Sequence, residues 1–225
     1  MRIICDFDGT ISSRDTTDLV LERLADPAWR ALEEDWVAAR ISAATCMRGQ
    51  IALIGGAQAD LDDLLDKVEL DPGFAAFVDW CEGRDLPISI ASDGVDYFIR
   101  RILSRHDLGR LDVVANHLVG VAGDWRLEQP WARSGCAAGS GVCKCDVAAP
   151  GGTARPQTLV YVGDGRSDFC VSARADILFA KGALADYATA RGQAFHPFDT
   201  FHDVTAALTL RLGAPIPAAA RAATL

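Results

Sequence analysis

Ile3-Ile4-Cys5-Asp6-Phe7-Asp8-Gly9-Thr10 is the stretch around which the rest of the chain is arranged. A short apolar run ends in two carboxylates spaced i, i+2. On a strand, alternate side chains share a face, so Asp6 and Asp8 start on the same side. Gly9 and Thr10 break the strand, glycine being able to take backbone conformations that other residues resist. Two like charges this close are costly unless a cation or a shared proton relieves them. A hard divalent cation with oxygen ligands does this best, and Mg²⁺ typically uses one or two carboxylates with substrate phosphate oxygens. A solvated turn after an edge strand would carry the same spacing, so the remaining sequence has to decide between the two.

The 225 residues suffice for one good core with a smaller appended domain. Half of them are hydrophobic and 24% are charged, as in an ordinary globular protein and unlike a disordered one. The net charge of −9 argues against a nucleic acid or an anionic membrane as partner. An anionic substrate must then be drawn in by local cations, metal or backbone dipoles. No apolar segment has the length of a membrane span, and no signal peptide is recognisable. Seven cysteines without an export signal predict a reduced, cytoplasmic protein.

Beyond Thr10, helical periodicity runs over residues 12–24, 28–40, 42–53 and 61–68. Asp15, Thr16 and Thr17 are candidate caps for the first of these. No strand signal interrupts this block, and Pro72-Gly73 marks a return point. Residues 13–72 are therefore read as a helical cap, and residues 1–12 with 73–225 as an α/β core. Phe74 to Cys81 fits a core-facing helix. The run Leu86 to Ala91 then reads as a buried parallel strand halting at Ser92-Asp93-Gly94, with a helix from Val95 to about Leu103. Leu111–Val121 and Trp125–Leu127 around Ala122-Gly123-Asp124 suggest a hairpin. Thr158–Val162 is the clearest strand, stopping at Gly163-Asp164-Gly165-Arg166-Ser167-Asp168, and residues 176–180 form another. The Ala- and Pro-rich tail from Gly213 is expected to be loosely held.

Three apolar strands thus each end in a polar cluster, where ligands bind in open α/β sheets. Asp6-Phe7-Asp8-Gly9-Thr10, Ser92 of the Ser-Asp-Gly, a later lysine, and Gly163-Asp164-Gly165-Arg166-Ser167-Asp168 resemble in order the four motifs of the haloacid dehalogenase superfamily of aspartate-nucleophile phosphatases. The resemblance spans nearly the whole chain and implies a Rossmann-like parallel sheet with a cap. It also implies a Mg²⁺-dependent phosphomonoesterase acting on a small phosphorylated metabolite. In that scheme Asp6 is the nucleophile and Asp8 the general acid, then base. Mg²⁺ is held by Asp6, the carbonyl of Asp8, and Asp164, with Asp168 beside them orienting a water or the lysine. Ser92, the amides of Asp93 and Gly94, and donors from Gly9 and Thr10 bind the phosphoryl oxygens. Of the chain's three lysines, Lys67, Lys144 and Lys181, only Lys144 falls between the hairpin and the fourth motif. It would neutralise the charge shared by Asp6 and the incoming phosphate. The carboxylate of Asp93 is expected to face away from that phosphate.

A helical cap between the first two motifs resembles the phosphoserine-phosphatase-like branch. There, Asp15 takes the place of a cap glutamate that recognises an amino group, and Arg48 that of a carboxylate-binding arginine. Pro27–Leu32, the loop before Lys144 and the Trp-bearing hairpin look like the methionine-salvage phosphatases of 2-hydroxy-3-keto-5-methylthiopentenyl-1-phosphate. Phosphoserine is the alternative substrate, and a silent binding module or a phosphotransferase are the other readings. The segment Cys136 to Cys145 carries three cysteines around Lys144. These fit a metal site, a redox element or small buried residues, but no fourth zinc ligand is evident in the sequence.

Overall fold

In the computed structural model, residues 1–149 and 157–213 are described. Seven strands form one sheet in the order β4-β3-β2-β1-β5-β6-β7. They are β1 (Arg2–Cys5), β2 (Ile88–Val95), β3 (Asp112–Val121), β4 (Asp124–Glu128), β5 (Leu159–Gly163), β6 (Ile177–Ala180) and β7 (His196–Pro197). All neighbours pair in parallel except β3 with β4, the hairpin arm. The central β1 pairs with β2 on one side and β5 on the other, Ile4 lying opposite both Ser89 and Tyr161. The chain therefore leaves β1 in opposite directions across the sheet, and the crevice where the order reverses is the ligand position of open α/β folds.

Alternation along β1 and β5 explains why these strands are apolar throughout. Ile3, Cys5, Val160 and Val162 enter one buried cluster, while Ile4, Leu159 and Tyr161 enter a second on the other face. Both faces are covered, so no polar face is needed. Each such Ile, Val or Leu contributes about 1.5–3 kcal/mol through burial. The charged residues at the strand ends are thus placed by a sheet that tolerates no change of register.

Ten helices are assigned among the described residues. Four of them, α1 (Thr16–Leu24), α2 (Trp29–Val37), α3 (Ala43–Ile51) and α4 (Gln58–Leu65), lie between β1 and α5 (Phe74–Glu82). Asp15 caps α1 by accepting from the Asp18 amide at 2.9 Å. A bridge between Ser12 and Leu70 brings the chain's exit from the sheet and its return side by side. α4 is fixed to α6 (Asp96–Arg105) by the Arg101 guanidinium, which grips Asp66 at 2.7 and 2.8 Å.

The structure departs from the sequence reading at β2, at α4, which begins and ends three residues before the helix read over 61–68, and in elements that the reading left out, β7 among them. β2 does not stop at Ser92 but continues to Val95, with a register irregularity between Ala91 and Val95 against β3. Ser92 and Asp93 are thereby held in an irregular stretch of strand. The helices α7 (Lys144–Ala148), α8 (Phe169–Ser172), α9 (Gly182–Ala190) and α10 (Phe201–Leu212) carry no assignment in the sequence. α7 and α8 are too short to show a period, and α9 is alanine-rich. In α10, Phe201, Val204 and Leu208 do form a buried stripe. The predicted loose tail falls on residues 214–225, outside the described residues.

One buried carboxylate ties the return from the helical block to the end of the core. Asp71, 9% exposed, accepts from the amides of Gly73 at 2.9 Å and Phe201 at 3.0 Å. Asp71→Ala leaves both donors without their partner, each costing about 1–3 kcal/mol. We expect the urea midpoint to fall with an unchanged slope, and an unchanged midpoint would refute this account.

Candidate active site

Asp6 lies immediately after β1, Ser92 in the irregular end of β2 and Asp164 immediately after β5. Asp168 follows in a short turn of 3₁₀ helix, Arg166–Asp168. Residues distant in the chain meet on Lys144, the first residue of α7. Its Nζ is 2.7 Å from Asp6 Oδ2 and 2.6 Å from Asp168 Oδ1, and it donates to Ser167 Oγ at 2.8 Å. The lysine is only 2% exposed, so its charge is matched by carboxylates and not by water. Burial favours its neutral form, but Asp168 and Asp6 outweigh that and hold it above the usual lysine range.

Asp168 spends both oxygens on positioning. Oδ1 also accepts from Tyr161 Oη at 2.5 Å, and Oδ2 accepts from the amides of Asp164 and Gly165, each at 3.1 Å. Asp6 Oδ1 accepts from the Phe7 amide at 2.7 Å. Burial, then the nearby Asp168, push the Asp6 carboxyl well above the ordinary carboxylate range, while Lys144 opposes them. Asp164 is raised chiefly by burial and steadied by Thr10 Oγ1, which donates to it at 2.5 Å. Asp6, Asp164 and Asp168 each offer an oxygen, all within 4.8 Å of one another. Three carboxylates crowded at low exposure are a donor set that suits a hard divalent cation, whose charge would add to the pull of Lys144 on Asp6.

Asp8 is oriented differently. Its Oδ1 accepts from the Thr16 amide at 2.8 Å and the Thr16 hydroxyl at 2.5 Å, and Ser92 Oγ stands 3.5 Å from Oδ2. Burial raises its carboxyl above the ordinary range and Thr16 moderates the rise. Its side chain is outside the three-carboxylate group. Two glycines are required by close approach. A Cβ on Gly94 would lie 2.4 Å from Asp8 Oδ2, and one on Gly9, at φ +70°, would lie 2.6 Å from Asp164 Oδ2.

Several expected substrate contacts are placed otherwise. The Thr10 hydroxyl is committed to Asp164, and Thr10 is fully buried. The Gly94 amide donates to Ser92 Oγ at 2.9 Å. The Asp93 carboxylate accepts from the Val142 amide at 2.9 Å and from Asn116, and Asp93 also lines the cavity. Arg48 is not brought to the site. It is exposed and donates to Gln129 Oε1 at 2.5 Å. On α3, Ala43, Cys46, Met47 and Gln50 line the cavity. Position 48 is rotated about 100° from Met47 and so misses that face. Tyr161 and Ser167 have no role in the sequence reading, and Thr16 appears there only as a candidate cap, whereas here it donates to Asp8. The signal for Tyr161 was a lone hydroxyl in an otherwise apolar strand.

The cavity above these groups has a volume of about 580 Å³. Asp6, Asp8, Ser92 and Asp164 line its floor, and Asp15, Asp18, Glu33, Trp36, Met47 and Gln50 line the side formed by the helical block. Among its described lining residues the one cation is Arg166, whose guanidinium carbon lies 5.2 Å from the Trp36 ring centroid. No helix among the described residues is long and apolar enough to cross a membrane.

The family model described as haloacid dehalogenase-like hydrolase matches residues 3–172. The chain is 30% identical over 207 residues to the 2-hydroxy-3-keto-5-methylthiopentenyl-1-phosphate phosphatase of Brevibacillus brevis, covering 90% of this chain and 92% of that one. It is 26% identical to a polyol phosphate phosphatase of Saccharomyces cerevisiae, covering 92% and 91% of the two chains. Among solved structures, a phospho-aspartyl intermediate analogue of phosphoserine phosphatase superposes with a TM-score of 0.63 at 16% identity, covering 93% of this chain and 97% of that one.

Proposed function

Since the chain belongs to the haloacid dehalogenase-like hydrolase family, and within it is a phosphoric monoester hydrolase, we propose that Asp6 is the nucleophile of a two-step hydrolysis on a small phosphorylated metabolite. The observation that carries this reading is the buried Lys144 ammonium, held 2.7 Å from Asp6 and 2.6 Å from Asp168. Its charge opposes the burial that favours the protonated form of Asp6, and it positions the attacking carboxylate. Asp6 attacks phosphorus, the bond to the substrate alcohol breaks, and Asp8 passes its proton to the leaving oxygen. Asp8 then takes a proton from water, which attacks the same phosphorus and frees Asp6. The raised carboxyl of Asp8 suits the first of these tasks.

Mg²⁺ held by Asp6 and Asp164 would neutralise the phosphoryl oxygens and align them for displacement. Asp168 acts through Lys144, and the Ser92 hydroxyl is free to turn from its long contact with Asp8 towards a phosphoryl oxygen. The helices α1 to α4 form the cap over the cavity, within residues 13–72.

The helical side of the cavity favours a substrate without a carboxylate. Asp15, Asp18 and Glu33 face it, Arg48 lies elsewhere, and Arg166 is engaged with Trp36. Burial raises Asp15 to about 7 and Asp18 to about 6, so the repulsion that these carboxyls exert on an anionic substrate group grows as pH rises through that range. Trp36, Cys46 and Met47 add apolar and sulfur-bearing surface. This supports a hydroxylated, uncharged chain such as 2-hydroxy-3-keto-5-methylthiopentenyl-1-phosphate over phosphoserine. Steady-state kinetics on both compounds, with and without EDTA, tests it. We expect metal-dependent turnover with kcat/KM higher for the first, and a preference for phosphoserine would overturn the substrate assignment.

Asp8→Asn is expected to slow hydrolysis of an alkyl phosphate by about 10²–10⁴-fold, the worth of general acid–base catalysis. The slowing of the first step should be much smaller for p-nitrophenyl phosphate, whose leaving group needs no proton. Phosphoenzyme should then accumulate, as rapid-quench labelling would detect. Equal slowing of that step for the two substrates would remove the acid role.

A further inference from the structure

Four cysteines gather on the flank of the site that carries Lys144. Cys143 and Cys145 bracket the lysine at the start of α7, Cys136 precedes them in the loop, and Cys170 comes from α8. The sequence around Lys144 contains no fourth thiol, but the fold supplies one from the far side of the fourth motif. α7 packs on α8, and Ala148 and Val171 from the two enter the same buried cluster. Cys145 interacts with Cys170, and Cys136 with Cys143, closely enough for each to shift the titration of its neighbour. Cys145 and Cys170 are both partly exposed, and Cys170 lines the cavity, so a small oxidant can reach the pair.

Four thiols are by type a zinc ligand set. Their arrangement is not one, since among the described residues only Asp6, Asp164 and Asp168 place three ligand atoms within 4.8 Å of one another. The thiols are organised as pairs, and pairs are suited to disulfide chemistry. The hydrogen bond from Cys170, joined by Arg174, holds the Cys145 thiol down at about 7 against its burial. Much of it is therefore thiolate, the nucleophilic form, at neutral pH.

We propose that Cys145 and Cys170 are a redox-active dithiol, a modification site at which a hydroperoxide closes a disulfide between α7 and α8 and displaces Lys144. The Cys145 thiolate attacks one oxygen of hydrogen peroxide. The O–O bond breaks, hydroxide leaves and is protonated to water, and Cys145 becomes a sulfenic acid. The Cys170 sulfur then attacks the Cys145 sulfur. The S–O bond breaks, and the oxygen departs as a second water with the Cys170 proton. Two thiols have lost two electrons and one peroxide has become two waters. A disulfide demands a closer, specific approach of its two sulfurs. α7 is only five residues long, and Lys144 is the neighbour of Cys145, so the helix start moves with the bond. Lys144 is held by three contacts of 2.6–2.8 Å, and a shift of about 1 Å at such a site can cost about 100-fold in rate.

The loss of turnover rests on the role given to Lys144 above, while the bridge itself does not. The test therefore reads them separately. The reduced full chain is treated with hydrogen peroxide, its remaining thiols are alkylated, and disulfide-linked peptides are mapped by mass. In parallel, kcat on p-nitrophenyl phosphate is measured before treatment, after it, and after dithiothreitol. We expect a Cys145–Cys170 link, a fall in kcat of about 100-fold and recovery on reduction. Cys145→Ser and Cys170→Ser should each resist reversible inactivation, and Cys136→Ser should behave as the wild type. A map showing only Cys136–Cys143, or no link, overturns the site. A Cys145–Cys170 link with unchanged kcat overturns the displacement of Lys144.

Discussion

Asp6→Asn is expected to lose turnover by about 10⁴-fold or more in kcat, the scale seen when a covalent nucleophile is removed. An amide nitrogen or oxygen cannot replace the carboxylate as attacking group, and no phosphoenzyme should form. Fold stability should not fall with it. Burial and Asp168 raise the Asp6 carboxyl well above its ordinary range, so its ionisation costs folding free energy at neutral pH. A raised carboxyl pKa means that the folded chain binds more protons than the unfolded one. The stability that this proton supplies is present at low pH and lost as pH rises through the folded value. In EDTA, Asp6→Asn should therefore melt at or above the wild-type temperature at pH 8, and the difference should shrink as pH falls towards 4. Residual kcat within tenfold of the wild type would dismiss Asp6 as nucleophile.

Lys144→Met is expected to damage both activity and stability. The ammonium is buried between Asp6 and Asp168, and its removal leaves two carboxylates in a space that water barely reaches. Breaking a buried ion pair by deleting one partner costs about 3–5 kcal/mol. The deficit should be larger at pH 8 than at pH 5, because acid lets the abandoned carboxylates take up protons. Electrostatic loss at the reacting group should lower kcat by about 10²–10³-fold. Lys144→Arg should restore neither fully, since a planar fork does not fit a slot built around a single compact donor point. Urea denaturation at the two pH values, with kcat on p-nitrophenyl phosphate, checks both halves. Undiminished kcat in Lys144→Met would leave the lysine a purely structural role.

Much of the core was legible because its signals are local. Buried parallel strands read as short apolar runs, and three such runs end in Asp6, Ser92 and Asp164. Asp15 was one of three candidate caps near the start of the first helix, and the structure selects it over Thr16 and Thr17. Lys144 could be singled out because the family resemblance places a lysine between the second and fourth motifs, and of the chain's three lysines only this one falls between the hairpin and the fourth motif. Arg48 shows the opposite case. Its position in the sequence suited a binding role, but which face of α3 turns inward depends on what the helix packs against, and Met47 and Gln50 occupy that face.

By itself, the sequence determined where the sheet places its carboxylates and that a cation or a shared proton must relieve them, because strand alternation and like-charge repulsion act over a few residues. Only the tertiary structure decided which partner each group takes: Tyr161 and Lys144 for Asp168, Thr16 for Asp8, Asp164 for the Thr10 hydroxyl, and Cys170 for Cys145. Those choices follow from how the elements pack and which way each side chain turns, over separations from 7 residues for Tyr161 and Asp168 to 154 for Thr10 and Asp164, and apolar periodicity carries no record of them.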